Sequence, residues 1–342
     1  MSKSSGRNTI ADVARHAGVS KATVSRFLNH RETLLSPEIA DRVAVAIAEM
    51  GYTPSPMAQA LKRGRSRLIG LVVADITNPY SVAVLRGVEQ ACREAGYLLM
   101  LFNLGNEIDR ESAGIRALSS YRVEGFILNT MGYDAGALLE TARQGRPIVL
   151  VDRLHQGLDV DFVSLDNQQA IYLSARHLVD AGYEELLLVS EPLANISSRI
   201  ERLTAFQAFI AEHAAVASGT CVESRAEESD ALINALQEAR VRAQARSTMP
   251  AVIANNAVVT LRIVAAVARL GWRLGKDIGL VGIDETEWAP YVGPGISTVL
   301  QPTAELGRLA AQCLMQRVGG SNVPVRRVLL PGTLVARGSS QQ

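Results

Sequence analysis

Apolar residues recur in two rhythms along this chain, and the change between them divides it. From Thr9 to Met50 they fall three or four apart: Ile10, Val13 and Ala14, then Val24, Phe27 and Leu28, then Ile39, Val43, Ile47 and Met50. That spacing predicts three short helices. Ala17-Gly18-Val19 supplies a turn between the first two, and Ser20 stands where the second needs an N-cap. The third opens at Pro37 and stops at Gly51. Three helices in about fifty residues make a small domain with a thin core.

From Arg67 onward, short continuous apolar runs alternate with amphipathic stretches. Strands are expected at 68–73, 98–102, 125–129, 147–151, 163–165, 186–189, 251–254, 278–282 and 328–330. Helices are expected between most of them, such as 80–95 ending at Gly96 and 168–181 ending at Gly182. This is the pattern of α/β folds whose parallel sheets are covered on both faces, with ligands bound beyond the C-terminal strand ends. About 270 residues is long for one open sheet, so two subdomains are expected, one large domain being the alternative. Between the two rhythms lies Tyr52-Thr53-Pro54-Ser55-Pro56-Met57-Ala58-Gln59-Ala60-Leu61-Lys62-Arg63-Gly64. It offers barely two helical turns, too few to be stable alone in water. It needs a partner, either a twin from a second subunit or DNA.

Charge sharpens the picture. The chain holds 35 Lys/Arg and 34 Asp/Glu, a net of +1. Residues 1–65 carry ten of the cations and five of the acids, so they stand at +5 and the remainder at −4. The outward face of the second helix shows Lys21, Ala22, Thr23, Ser25, Arg26 and Asn29, with no carboxylate. A helix entering the DNA major groove needs that character, because a carboxylate there would repel phosphates. An ordinary helical hairpin with a polar outer side is the alternative. It does not explain why the basic excess falls on the same segment.

Other chemistries find little support. Cys92, Cys221 and Cys313 are widely spaced without a CxxC, and no signal peptide is evident, as expected of reduced cytoplasmic thiols. The five histidines show no ligand spacing, so no metal is expected. No apolar run approaches the ~18 residues of a membrane span. The first strand is followed by Ala74-Asp75-Ile76-Thr77-Asn78-Pro79, without the glycines of a dinucleotide or phosphate loop, and no GxSxG elbow occurs. No cofactor is expected. A sugar-processing enzyme remains the competing class, and a free-standing binding protein would not carry the basic head.

From about Asn8 to Arg337 the chain resembles the LacI/GalR family of ligand-responsive bacterial transcription repressors. The resemblance is carried by TIADVARHAGVSKATVSRFLN, the GYTPSPMAQALKRGRSRLIGLVV hinge, VEGFIL, VSLDN, VGIDETE and LQPTAELGRLA, in family order. It implies a helix-turn-helix head (1–51), a hinge helix and linker (52–67) and a body (68–342) of two doubly wound lobes like a periplasmic sugar-binding protein. Lobe one would span 68–167 and 298–326, and lobe two 168–297 and 327–338, with crossings near Asn167, Ser297 and Arg326. By resemblance Lys21, Ala22 and Arg26 read bases, Ser20, Thr23, Ser25 and Asn29 mainly hold phosphates, and Thr9 is a further DNA-binding residue. Ser55, Met57, Ala58, Leu61 and Lys62 form the hinge contacts, Leu61 as a minor-groove wedge or, alternatively, a packing leucine.

The effector is expected in the interlobe cleft. Strand-end loops offer Asp75, Asn78, Tyr80, Asn129, Asp152 and Asp166 from lobe one, and Ser198, Arg202, Asn255 and Asp284 from lobe two. Carboxylates and amides that bridge vicinal hydroxyls, plus a guanidinium, suit a sugar or sugar acid. By resemblance Asn129, Arg202, Asn255 and Asp284 align with effector contacts. Asn256 departs from the family aspartate at its position. Trp288 either stacks on a pyranose face or plugs the lobe. Within the family the chain looks most like the regulators of 2-ketogluconate utilisation. One helix-turn-helix covers about half a site, so a homodimer on a pseudo-palindromic operator is expected. The tail GSSQQ shows none of the leucine heptads of the family's tetramerisation coil. Effector would release the DNA, or, in the alternative, act as corepressor.

Overall fold

Short polar side chains that reach back to their own backbone set the helix ends of the N-terminal unit. The computed structural model describes residues 8–29, 35–53, 65–107, 109–130, 136–155, 157–226 and 228–341. The chain divides into two units, Met1–Ser66 and Arg67–Gln342. The first contains α1 (Ile10–His16), α2 (Lys21–Leu28) and α3 (Pro37–Glu49). Thr9 and Asp12 form a reciprocal capping box at the start of α1. Ser20 Oγ accepts the Thr23 amide at 3.1 Å to open α2. Gly18 turns the chain between them with φ +63°, a conformation glycine adopts without strain. One valine from each helix, Val13, Val24 and Val43, is fully buried at the centre of the small core. Arg42 Nη2 donates to the Ala17 and Gly18 carbonyls, satisfying the open end of α1.

The second unit opens with β1 (Leu68–Val73), β2 (Leu98–Asn103), β3 (Gly125–Asn129), β4 (Ile148–Val151) and β5 (Asp161–Leu165). Then come β6 (Glu185–Ser190), β7 (Ser218–Glu223), β8 (Pro250–Ala254), β9 (Gly279–Ile283) and β10 (Ser297–Leu300). Last are β11 (Arg327–Leu330) and β12 (Thr333–Val335). Two six-stranded sheets result, ordered β11-β5-β4-β3-β1-β2 and β12-β10-β9-β8-β6-β7. All pairings are parallel except β10 with β12. The helices are α4 (Pro79–Glu94), α5 (Arg110–Ser120), α6 (Gly136–Arg143), α7 (Asn167–Asp180), α8 (Ser197–Glu212), α9 (Ser229–Gln244), α10 (Ala257–Arg269) and α11 (Thr303–Val318).

Each sheet therefore repeats one doubly wound order, and its sixth strand is supplied by the last segment of the chain. In this order the strands diverge between β1 and β3 in lobe one, and between β6 and β8 in lobe two. Ligands bind beyond strand ends at such switch points.

Two of the expected lobe crossings need correction. The first lies at Asp166–Asn167, where β5 hands over to α7. Ser297, Thr298 and Val299 pair with Val281, Gly282 and Ile283, so lobe two keeps the chain through β10. The second crossing is therefore at Gln301–Pro302 rather than near Ser297. Arg327–Leu330 pair with Phe162–Leu165, which assigns β11 to lobe one instead of lobe two. The third crossing falls at Pro331–Gly332 instead of near Arg326. There the Gln169 side chain exchanges two hydrogen bonds with the Gly332 backbone, at 2.9 and 3.2 Å. The run VLL reads as a strand in either lobe; only its pairing decides.

After the second crossing, α11 packs back across lobe one against α4. The two helices touch at Gly87 and Gly307. A Cβ on Gly87 would collide with the Ala304 carbonyl, and one on Gly307 with the Val84 carbonyl.

Candidate functional site

In the head, α2 presents Lys21, Ala22 and Arg26 to solvent, while Thr23, Ser25 and Asn29 are half-buried. Its inner side is held by Val24, with Phe27 and Leu28 partly covered. The helix contains no acidic residue. Thr9 and Ser20, both exposed, serve as the caps of α1 and α2. The Asn29 side chain donates to the Ser25 carbonyl at 2.5 Å, securing the end of α2. The hinge positions Ser55, Met57, Ala58, Leu61 and Lys62 lie outside the described residues.

In the body, strand-end residues of both lobes converge on one cavity of about 280 Å³. That is the small end of the range for ligand pockets and suits a sugar-sized molecule. Matching positions in the two sheets supply matching side chains. Asn129 ends β3 and Asn255 follows β8, while Asp152 follows β4 and Asp284 follows β9. The amides of Asp152 and Asp284 each donate to the neighbouring strand, to Val163 O at 3.0 Å and Val299 O at 3.1 Å. Both aspartates hold left-handed backbone, φ +66° and +85°. Such conformations cost about 1–3 kcal/mol at a non-glycine residue and gather at functional sites.

Hydrogen bonds fix these groups in place. Asn129 Nδ2 donates to Val151 O at 3.1 Å, and Asn255 Nδ2 to Ser190 Oγ at 2.7 Å. Asp284 accepts from Ala257 N at 3.0 Å and from Gln301 Nε2 at 2.5 Å. Burial pushes the Asp284 carboxyl above its ordinary pKa, against the pull of Arg202, the Ala257 amide and Gln301. Arg202, 5% exposed, donates from Nε to Asn167 Oδ1 at 2.7 Å and from Nη1 to the Asn255 carbonyl. Ser198 Oγ reaches across the lobes to Asp152 Oδ2 at 3.3 Å. Tyr80 is buried, and its hydroxyl has no hydrogen-bond partner among the described residues. Burial, with Asp152 and Asp284 nearby, raises its pKa well above the usual phenol value.

Tyr80, Asn129, Asp152, Ser198, Arg202, Asn255 and Asp284 thus line one cavity, joined by Asp75 and Asn78. Trp288 does not line it. The indole is half-buried against the lobe-two core of Leu274, Ile278, Ala289 and Ile296, so it plugs the lobe. Asp166 caps α7 by accepting the Gln169 amide at 2.9 Å. Sequence reasoning did not select Arg153, Glu191, Arg199, Arg262 and Gln301, all of which line the cavity. Asn256 lines it too, donating to Glu191 Oε2 at 2.7 Å while its Oδ1 caps α10. Among the described residues no cluster of His, Cys, Asp and Glu could hold a metal ion, and no helix is long and apolar enough to cross a membrane.

Residues 9–55 match the model of bacterial regulatory proteins of the lacI family, and residues 175–340 match that of the periplasmic binding protein-like domain. The HTH-type transcriptional regulator PtxS of Pseudomonas plecoglossicida is 44% identical over 99% of this chain and 98% of its own length. The chain belongs to the LacI family. A second member, the HTH-type transcriptional regulator KdgR of Bacillus subtilis, is 38% identical over 98% of this chain and 99% of its own. The fold of a Lac repressor dimer bound to operator and anti-inducer superposes with a TM-score of 0.83, covering 98% of this chain and 100% of that one at 23% identity. As a LacI-family protein the chain is a sequence-specific DNA-binding transcriptional regulator, and the enzyme alternative falls away.

Proposed function

We propose that this regulator represses transcription as a homodimer on a pseudo-palindromic operator and is released by a small sugar acid bound between its lobes. The convergence of two asparagines, two aspartates and Arg202 from both lobes on one sugar-sized cavity carries this reading. Amides donate to and accept from vicinal hydroxyls, carboxylates accept from them, and guanidinium groups hold an anionic end. The ligand named by this reading is 2-ketogluconate. Effector binding would favour one arrangement of the lobes over another and so change the pairing of the hinge segments on DNA. Leu61, outside the described residues, is assigned the minor-groove wedge. A DNA-bound regulator of this kind works in the cytoplasm. Calorimetry of the full chain with 2-ketogluconate and with neutral sugars, followed by operator mobility shifts, tests the proposal. Binding of neutral sugars but not the acid would refute the sugar-acid reading, and tighter operator binding with effector would reverse its sign.

The head carries its own test. Arg26 is exposed on a carboxylate-free helix. Arg26→Ala should weaken specific binding by about 1–3 kcal/mol and relax base preference at one position per half-site. Mobility-shift titration against operator variants measures both, and unchanged affinity and preference would remove Arg26 from the base-reading set.

A further inference from the structure

The assignment of the anionic end to a particular guanidinium can be refined, on the premise that the cleft is the effector site. Arg202 donates from Nε to Asn167 and from Nη1 to Asn255, so both of its bonds stay within lobe two. Two other arginines meet at the seam between the lobes. Arg153 follows Asp152 in lobe one, with its side chain 11% exposed and Nη1 donating to Thr130 O at 3.0 Å. Arg199 lies in the first turn of α8 in lobe two, its side chain 12% exposed, with Nη2 paired with Glu191 at 2.6 Å, Nη1 donating to Pro192 O at 2.6 Å and Nε turned to neither.

The seam is drawn together on either side of these residues. The Leu154 amide donates to Ser197 Oγ at 2.8 Å, and Ser198 Oγ donates to Asp152. Arg153 and Arg199, each adjacent to one of those bonds, therefore line a single cavity from opposite lobes. Burial lowers the pKa of Arg199; Glu191 and Asp152 oppose the shift, while Arg153 and Arg202 add to it, which places all of these charges around one desolvated space. Two further groups in the cavity await a ligand: the Tyr80 hydroxyl and Gln301 Oε1 are buried without hydrogen-bond partners among the described residues.

We propose that Arg199 and Arg153 clamp the carboxylate of the effector between the lobes, leaving Arg202 to a sugar hydroxyl. A carboxylate held by one guanidinium from each lobe ties the lobes together through charge-assisted bonds that a neutral sugar does not make. Arg199 and Arg153 would then set the preference for acid over sugar, and Arg202 would serve both.

The test is calorimetric titration of the full chain with 2-ketogluconate and with a neutral hexose. Arg199→Gln and Arg153→Gln should each bind the acid roughly tenfold to a hundredfold more weakly, with neutral-sugar affinity unchanged. Arg202→Gln should weaken both ligands. The double variant Arg199→Gln/Glu191→Gln removes the repulsion an uncompensated Glu191 would add, and acid binding should stay lost. Operator binding at wild-type affinity certifies the fold of each variant. If wild type prefers the acid and the Arg199 and Arg153 variants keep that preference, the clamp is overturned while the effector site stands. If wild type prefers the neutral hexose, the sugar-acid reading fails and the clamp with it.

Discussion

Arg202→Ala and Asp284→Ala proteins should bind operator DNA as wild type does and fail to leave it when effector is added. Both side chains are buried in the cleft, and Asp284 keeps lone pairs for a ligand beyond its bonds to Ala257 and Gln301. Losing a charged hydrogen-bond partner in such a site costs about 1.5–3 kcal/mol, at least a tenfold loss of affinity. The separation of the two activities matters more than the size of the loss. A global folding defect would abolish DNA binding as well, and the head has a core of its own in Val13, Val24 and Val43. Arg202 also supports Asn167 at the first crossing and the Asn255 carbonyl, so its removal should lower thermal stability more than that of Asp284. Titration of effector by calorimetry, beside operator mobility shifts with and without it, reads both quantities. Wild-type effector affinity in both variants would show that the site is misplaced.

The cleft was legible where chemistry follows a strand end. Asn129, Asp152, Asn255 and Asp284 each end or follow a continuous apolar run, and in a parallel sheet that position points to the ligand crevice. Arg153 and Arg199 stand one residue from Asp152 and Ser198, yet periodicity cannot say that a neighbouring side chain turns into the same cavity. Trp288 was ambiguous because an indole near a strand end serves a sugar face or a core equally well. Its packing against the lobe-two core decides, and that depends on a turn the sequence does not announce.

Strands show the same limit. GFILN and AVIA are buried along their whole length, LIGLVV at all but its first residue, and all three read directly. SGTCVE in β7 is an edge strand of half-buried and exposed residues, so it lacks the apolar run that marks the others. STVL in β10 is buried through Val299, but Ser297 and Thr298 satisfy their hydroxyls with Ser340 and Glu285, distant partners invisible to local pattern. The crossings were misplaced for a related reason. An apolar segment at a lobe boundary suits either sheet, and the choice is made by strand pairing, near in sequence for Ser297 with Val281 and more than a hundred positions apart for Arg327 with Phe162.

That long-range pairing depends on a charge cluster, and Asp161→Asn should weaken the body there. Asp161 opens β5 with its side chain 1% exposed. It accepts from Arg317 at 2.9 and 3.0 Å, from Arg326 Nη2 at 2.7 Å and from the Arg326 amide at 2.9 Å. One carboxylate thus ties the start of β5, the end of α11 and the entry to β11. Breaking a fully buried pair costs about 3–5 kcal/mol. Arg317 and Arg326 are 19% and 29% exposed and regain some hydration, so about 2–3 kcal/mol is expected. For a body of this size that lowers Tm by roughly 4–10 °C. The effect has a defined pH dependence. Burial alone would raise the pKa of Asp161, but hydrogen bonds from Arg317 and Arg326 outweigh it and hold the carboxyl well below the usual range. A depressed folded-state pKa contributes stability that is fully present above the unfolded value, about 3.9, and is lost as pH falls through the folded one. Denaturant midpoints of wild type and Asp161→Asn should therefore differ by a constant amount from pH 8 to about 5, and the gap should narrow progressively below roughly pH 4. A gap that persists undiminished at the acid end, or no gap at neutral pH, would show that Asp161 does not hold these three segments together through its charge.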